Sequence, residues 1–343
     1  MNSNSSNLPE DRDGSGGDAA SRPRTIPTIA SAMWTHREVL NQKRSSIVEL
    51  LDAVGHPEQF NLVQAMALLA FSLEFQPDLI LELGRGHGNS TAVSTDAAHL
   101  LGLDRCHVTS LCLTSFWQLE TAPRIGRLRG DAWFAPLTAV RADIRSYDYE
   151  RLLSGYERVL LFWDAHGYDI AECVLGGILP LLSGKAAYIL MHDMSDARYL
   201  NPAKMTYGNN GLWRRNNWSG RYVRLGDLFS NVEQAVAVVD FASRNHLELC
   251  SITHSLRTEL SIDEIHYLDD ALGLQLATAE IGLYSLSISA PDALSTFPRF
   301  DRPSPIDRLG SNLVIEAFSV ARRLRLDGLA RQALRTVRRV RFR

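Results

Sequence analysis

The sequence has few features that would place it in a membrane or cross-link it covalently. No apolar run approaches the roughly 20 residues needed to span a bilayer. The first residues, MNSNSSNLPEDRDGSGGD, are polar and acidic and do not read as a signal peptide. The four cysteines, Cys106, Cys112, Cys173 and Cys250, are scattered and form no C-x-x-C pair. That argues against a structural zinc site and a disulfide framework, and it fits a reducing cytosol. What is present is enough for a packed domain: of 343 residues, 45% are apolar and 22% charged, which excludes a wholly disordered chain, a collagen and a coiled-coil rod.

The net charge of −3 hides an uneven distribution. Residues 302–343 carry 11 arginines, no lysine and three acids (Asp307, Glu316, Asp327), which makes that segment about +8 and the remainder about −11. Within 313–343, Leu326, Ala330, Ala333, Val337 and Val340 recur at helical spacing with arginines between them. This predicts a basic amphipathic helix, suited to an anionic membrane surface, a glycolipid or an acidic partner, or else docked on the acidic body. Nucleic acid is not expected, because aromatics are not interleaved and the acidic body would repel phosphate.

The pattern along the chain divides it into a disordered leader over 1–28, a helical cover over 29–76, a main domain over 77–290 and the basic tail over 291–343. In the cover, helices are expected at about 35–54 and 58–74, the second with Leu62, Met66, Leu69 and Leu73 on one face. Strands are expected at 77–84, 106–113, 137–141, 158–165, 185–193, 246–252 and 281–289, with helices at 90–102, 169–182 and 231–245. Alternating strands and helices predict an α/β doubly wound, Rossmann-like, mostly parallel seven-stranded sheet.

The densest motif is Glu82-Leu-Gly84-Arg85-Gly86-His87-Gly88-Asn89-Ser90-Thr91, which follows an expected strand and opens an expected helix. Glycines there let backbone approach a ligand, and helix-start N–H groups suit polar or anionic groups. Asn89 stands where G-x-G-x-x-G needs its third glycine, and no Gly-Lys-Ser/Thr follows, so neither the dinucleotide fingerprint nor the P-loop is met. Glu82, two residues before the first glycine, fits a ligand with a cationic amino group. His87 is expected to be an exposed loop residue. Asp143, Asp164 and His192-Asp193 fall at other strand ends and should converge with the loop. Two carboxylates meeting there suit Mg²⁺, and His166 or His192 could take a proton at working pH. Each of these side chains also has a structural alternative as a cap, an ion-pair partner or a packed imidazole.

Glu82-Leu-Gly-x-Gly-x-Gly-Asn-Ser-Thr resembles motif I of the class I S-adenosylmethionine (SAM)-dependent methyltransferases. Asp164-Ala-His166-Gly-Tyr168 and Tyr188-Ile-Leu-Met-His192-Asp193 are similar to further elements of the sugar and small-molecule O-methyltransferase branch, which includes macrocin-type and cephalosporin-hydroxylase-like proteins. The resemblance implies SAM held by Glu82, Gly84, Arg85, Gly86, Gly88, Asn89 and Ser90, with Asp143 facing the adenine. It also implies Asp164 and Asp193 as acids that help bind a divalent metal. His192, His166 and Asp164 would serve catalysis, the acceptor would be a hydroxyl of a sugar, glycan or secondary metabolite, and oligomers are common in this branch. One departure is the second strand, Val108–Thr114, which lacks the acid that holds the ribose in the family. The segment 199–224, with Trp213, Trp218, Arg214, Arg215 and Arg221, stands where an acceptor-binding insertion would sit. An NAD(P)-dependent oxidoreductase and a non-catalytic methyltransferase-like module are the rival readings.

Overall fold

A computed structural model of the chain describes residues 27–192, 232–277, 281–288, 294, 296–304, 313 and 320. Most of the basic tail, the 199–224 segment and Asp193 lie outside the described residues. The cover opens with a short helix ahead of the one expected at about 35–54. Thr28 caps α1 (Ile29–Thr35), its side chain accepting from the Ser31 N–H. The helix α2 (Arg37–Val54) buries Leu40, Ile47, Leu50, Leu51 and Val54 and stops at Gly55, which takes the left-handed conformation. Asn61 and Gln64 form a capping box at the start of α3 (Leu62–Phe75). Almost every residue of α3 from Val63 onward is buried, so it is an interior helix rather than one with a single apolar face.

The sheet runs in the order β3-β2-β1-β4-β5-β7-β6. Its strands are β1 (Leu79–Leu83), β2 (His107–Cys112), β3 (Leu137–Arg141), β4 (Arg158–Trp163), β5 (Ala186–His192), β6 (Leu249–Ser251) and β7 (Leu283–Ile288). The first five are parallel to one another. β7 lies antiparallel between β5 and β6. The expected α/β doubly wound, mostly parallel seven-stranded sheet is therefore observed. β1 and β4, adjacent in the sheet but distant in sequence, form the switch point where a ligand crevice opens outside the strands' carboxyl ends. Side-chain alternation divides the core. Leu79, Leu81 and Leu83 pack on one face with Leu161, Trp163 and Ile189. Ile80, Val108 and Phe162 pack on the other beneath the helical cover.

Three expectations are corrected. The helix expected at 169–182 is broken into α7 (Tyr168–Glu172), a π-helical turn over Cys173–Ile178 and a 3₁₀ turn over Leu179–Leu182. The stretch carries Gly176, Gly177 and, in the first turn of the 3₁₀ segment, Pro180, all poor helix formers. The glycines also admit close packing, since a Cβ at Gly176 would lie 2.1 Å from the Pro298 carbonyl oxygen and one at Gly177 2.7 Å from the Phe300 ring. The strand expected at 246–252 shortens to β6, because α9 (Ile252–Glu259) starts directly after it and buries Ile252 and Leu256. α10 (Ile262–Leu272) was not expected, although its Ser261–Glu264 capping box stands in the sequence. No helix among the described residues is long and apolar enough to cross a membrane.

Candidate functional site

The loop from β1 to α4 (Asn89–Leu101) uses its three glycines in three different ways. Gly84 has φ +100, and a Cβ there would lie 2.5 Å from the Ala165 nitrogen. It lets the ends of β1 and β4 touch, and the Asp164 N–H donates to the Leu83 carbonyl at 2.8 Å. Gly88 has φ +101 and lies under Trp117, whose ring would be 2.3 Å from an added Cβ. Gly86, at φ +55, has nothing within 4 Å of a Cβ. It is the point where backbone meets open space at the switch point. The first turn of α4 leaves N–H groups without intrahelical partners, and its N-cap, Gly88, supplies no side-chain cap. Asn89 donates through Nδ2 to the His56 carbonyl at 2.9 Å. Its Oδ1 is buried without a hydrogen-bond partner.

Several residues expected at the ligand have partners within the protein. Glu82 is fully buried. Its carboxylate accepts from Ser90 and Thr91, each at 2.5 Å, and from Ser110. Burial raises its pKa, while the three hydroxyls and the Arg85 charge pull it down. Arg85 is 2% exposed and reaches back over the sheet. Its Nη1 donates to the Ser110 carbonyl at 2.7 Å and its Nη2 to the Val140 carbonyl at 3.3 Å. Glu82 and Ser90 thus brace the loop from within, and Arg85 ties it to β2 and β3. Asp143 is gripped by Arg145, Nη2 to Oδ2 at 2.7 Å and Nε to Oδ1 at 3.1 Å. That hydrogen bonding lifts the Arg145 pKa. His87, expected to be exposed, is buried. It stacks on His56 with centroids 3.7 Å apart and on Phe116 at 4.6 Å.

The second half of the site lies at the ends of β4 and β5. His192 is 2% exposed. Its Nδ1 is 2.8 Å from Asp164 Oδ1 and its Nε2 is 3.0 Å from Gln64 Nε2. His166 Nε2 stands 3.8 Å from the same Asp164 oxygen, too far for a hydrogen bond. The Asp164 side chain is 23% exposed, and among the described residues no hydrogen bond is recorded to its Oδ2. The structure therefore brings Gly84, Asp164, His166 and His192 together, with Gly86 at the open edge. Among the described residues, no group of three or more His, Cys, Asp or Glu is arranged to hold a metal. Asp193, the second expected metal ligand, lies outside them. Gln64, Trp117 and His56 were missed by the sequence reading. The visible signal for Gln64 was a lone amide within LVQAMALLAFSLEF, an otherwise almost wholly apolar helix.

Arg85, the one arginine of the loop, is spent on carbonyls and the Ser110 hydroxyl, and the Asp164 carboxylate is 23% exposed. No acid ends β2, and β7 lies antiparallel where the 3-2-1-4-5-6 dinucleotide order places a parallel sixth strand beside β5.

Neither a family model nor a curated protein matches the sequence. Solved structures do resemble the chain. They include cofactor-bound Rv0187 from MTB (13% identity, TM-score 0.43, covering 72% of this chain and 90% of that one). The SAH-bound methyltransferase PaMTH1 from Podospora anserina is another (12%, 0.43, 70% and 86%). A third is the O-methyltransferase TomG from Streptomyces achromogenes in complex with SAM (16%, 0.42, 70% and 88%). At such identities and scores these are likenesses in the course of the chain. The fold assignment rests on this chain's own strand order and register.

Proposed function

We propose that the chain is a SAM-dependent O-methyltransferase. The observation that carries this reading is Gly86, open at positive φ over the β1/β4 switch point, with the Asp164 carboxylate on the adjoining strand end. SAM supplies an electrophilic methyl group on a positively charged sulfur. The backbone at Gly86 and the first N–H groups of α4 would hold its amino-acid end, with Asn89 Oδ1 as an acceptor for an ammonium or hydroxyl. Asp164 would favour the positive charge and take the proton of the acceptor hydroxyl at Oδ2. Glu82 serves as the brace that keeps the loop rigid. The acceptor is proposed to be a hydroxyl of a sugar, glycan or secondary metabolite. Mg²⁺ assistance would require Asp193 beside Asp164 to supply oxygen ligands. The arginine-rich segment 313–343 is proposed to contact an anionic surface, supported by its nine arginines and two acids, a charge of about +7, against an acidic body.

The test is incubation of the full chain with methyl-labelled SAM and a panel of hydroxyl acceptors, with and without Mg²⁺. The expected result is an acceptor-dependent O-methyl product that disappears in Asp164→Asn. Transfer undiminished in Asp164→Asn would overturn the role given to that carboxylate. One observation favours a second reading, a non-catalytic ligand-binding module: the Glu82 and Asp143 carboxylates and both terminal nitrogens of Arg85 are taken by the protein's own groups. Binding of SAM without transfer to any acceptor class would support it.

A further inference from the structure

We infer that Gln64, on the helical cover, is a positioning residue that fixes the tautomer of His192 and thereby withdraws it from proton transfer. The inference deepens the methyltransferase reading, and only the meaning of the withdrawal rests on that reading. Two contacts set the orientation of the Gln64 amide. The Asn61 backbone N–H points at Oε1 at 2.7 Å; an N–H can only donate, so that atom is the amide oxygen. Nε2 lies 2.5 Å from the Ile281 carbonyl, which can only accept. Flipping the amide would turn both contacts into clashes of like groups. The remaining amide hydrogen is therefore directed at His192 Nε2, 3.0 Å away. That nitrogen must offer its lone pair. A neutral ring then carries its proton on Nδ1, which donates it to Asp164 Oδ1 at 2.8 Å.

The surroundings reinforce this order. Gln64 is 6% exposed and His192 2%. Phe60 and Phe162 flank the imidazole, with ring centroids 5.5 and 6.4 Å away. The titratable groups recorded near it among the described residues are Asp164 and, through the same carboxylate oxygen, His166. A lone pair already taken by a buried amide is not available to an acceptor hydroxyl. His192 thus orients Asp164 through the Nδ1–Oδ1 hydrogen bond. The expectation that His192 itself acts as the base is replaced by Asp164 Oδ2, and the helical cover becomes part of the site. A histidine acting on a substrate through a tautomer set by its second nitrogen's partner is general chemistry. What is particular here is that the partner comes from a helix more than 100 residues away in sequence.

The test is nuclear magnetic resonance of the full chain labelled with ¹⁵N in its histidine rings, without any ligand, so that it is independent of SAM binding. The His192 signals are assigned by their loss in His192→Gln. The expected wild-type spectrum at neutral pH shows His192 protonated at Nδ1 and bare at Nε2. In Gln64→Met, which keeps the side-chain length and removes the N–H, the Nε2 signal should shift to the position of a lone pair without a donor. The Nδ1 proton should remain. A proton on Nε2 in the wild type, or an Nε2 signal that does not move in a folded Gln64→Met, would overturn the inference. A correct tautomer in a protein that binds no SAM would leave it standing and sink the methyltransferase reading instead.

Discussion

Replacing Glu82 by alanine tests how the glycine loop is held. The carboxylate accepts three hydroxyls and lies near the buried Arg85 charge. The hydroxyls have other outlets. Ser90 and Thr91 sit in the first turn of α4 and can turn back to local carbonyls, and Ser110 Oγ already accepts from Arg85 Nη1 at 3.0 Å. The charge is more confined: Arg85 is 2% exposed, and its other partners are carbonyl and hydroxyl oxygens and the Trp117 ring, whose centroid lies 5.9 Å from the guanidinium carbon. Leaving a buried polar or charged group without its compensating partner costs about 1–3 kcal/mol, a noticeable share of the roughly 5–15 kcal/mol that stabilises a domain. Urea denaturation should show the unfolding free energy falling by that amount, as a lower midpoint at unchanged slope. A loss below about 1 kcal/mol would refute the claim that Glu82 compensates Arg85 and braces the loop.

Other outcomes follow from the same geometry. Burial, the largest cause, holds the Glu82 pKa above its ordinary 4.5, so the folded state binds this proton more tightly than the unfolded chain. Its contribution to stability should therefore decline as pH rises from about 4.5 through the folded pKa, and Glu82→Gln should flatten that part of the stability–pH curve relative to wild type. A wild-type curve no steeper than that of the variant there would contradict the assignment. Trp117→Ala removes a ring that is 3% exposed and covers Gly88. It should cost about 3–5 kcal/mol in thermal or urea unfolding, whereas a surface tryptophan would cost far less.

Much of the fold was legible because buried parallel strands are continuous apolar runs. LILEL and RVLLFW announce β1 and β4 without any alignment, and the glycine cluster marks the turn between β1 and α4. The break at 173–182 was partly legible, since Gly176, Gly177 and Pro180 are poor helix formers; the close packing of Pro298 and Phe300 on the two glycines was not, because they lie more than 100 residues away. The inward course of Glu82 was partly legible. Leu81 and Leu83 flank it and share the opposite face, so strand alternation alone sends Glu82 beneath α4. Motif spacing put it at the ligand because a motif records position along the chain and not direction. His87 looked exposed for a similar reason, since nothing local announces that His56 and Phe116 will close on it. Gln64 was hidden because its partners, Ile281 and His192, are brought to it only by the sheet.

The most direct measurement is titration calorimetry of SAM and S-adenosylhomocysteine into wild type and Gly86→Val. Valine at φ +55 strains the backbone by at least ~1–2 kcal/mol and fills the open space over the β1/β4 junction. Binding of both ligands by the wild type, with at least a roughly tenfold loss in a folded Gly86→Val, a factor equal to about 1.4 kcal/mol, is the predicted result. No binding to the wild type, or equal affinity in the two proteins, would contradict the placement of the cofactor and the function built on it.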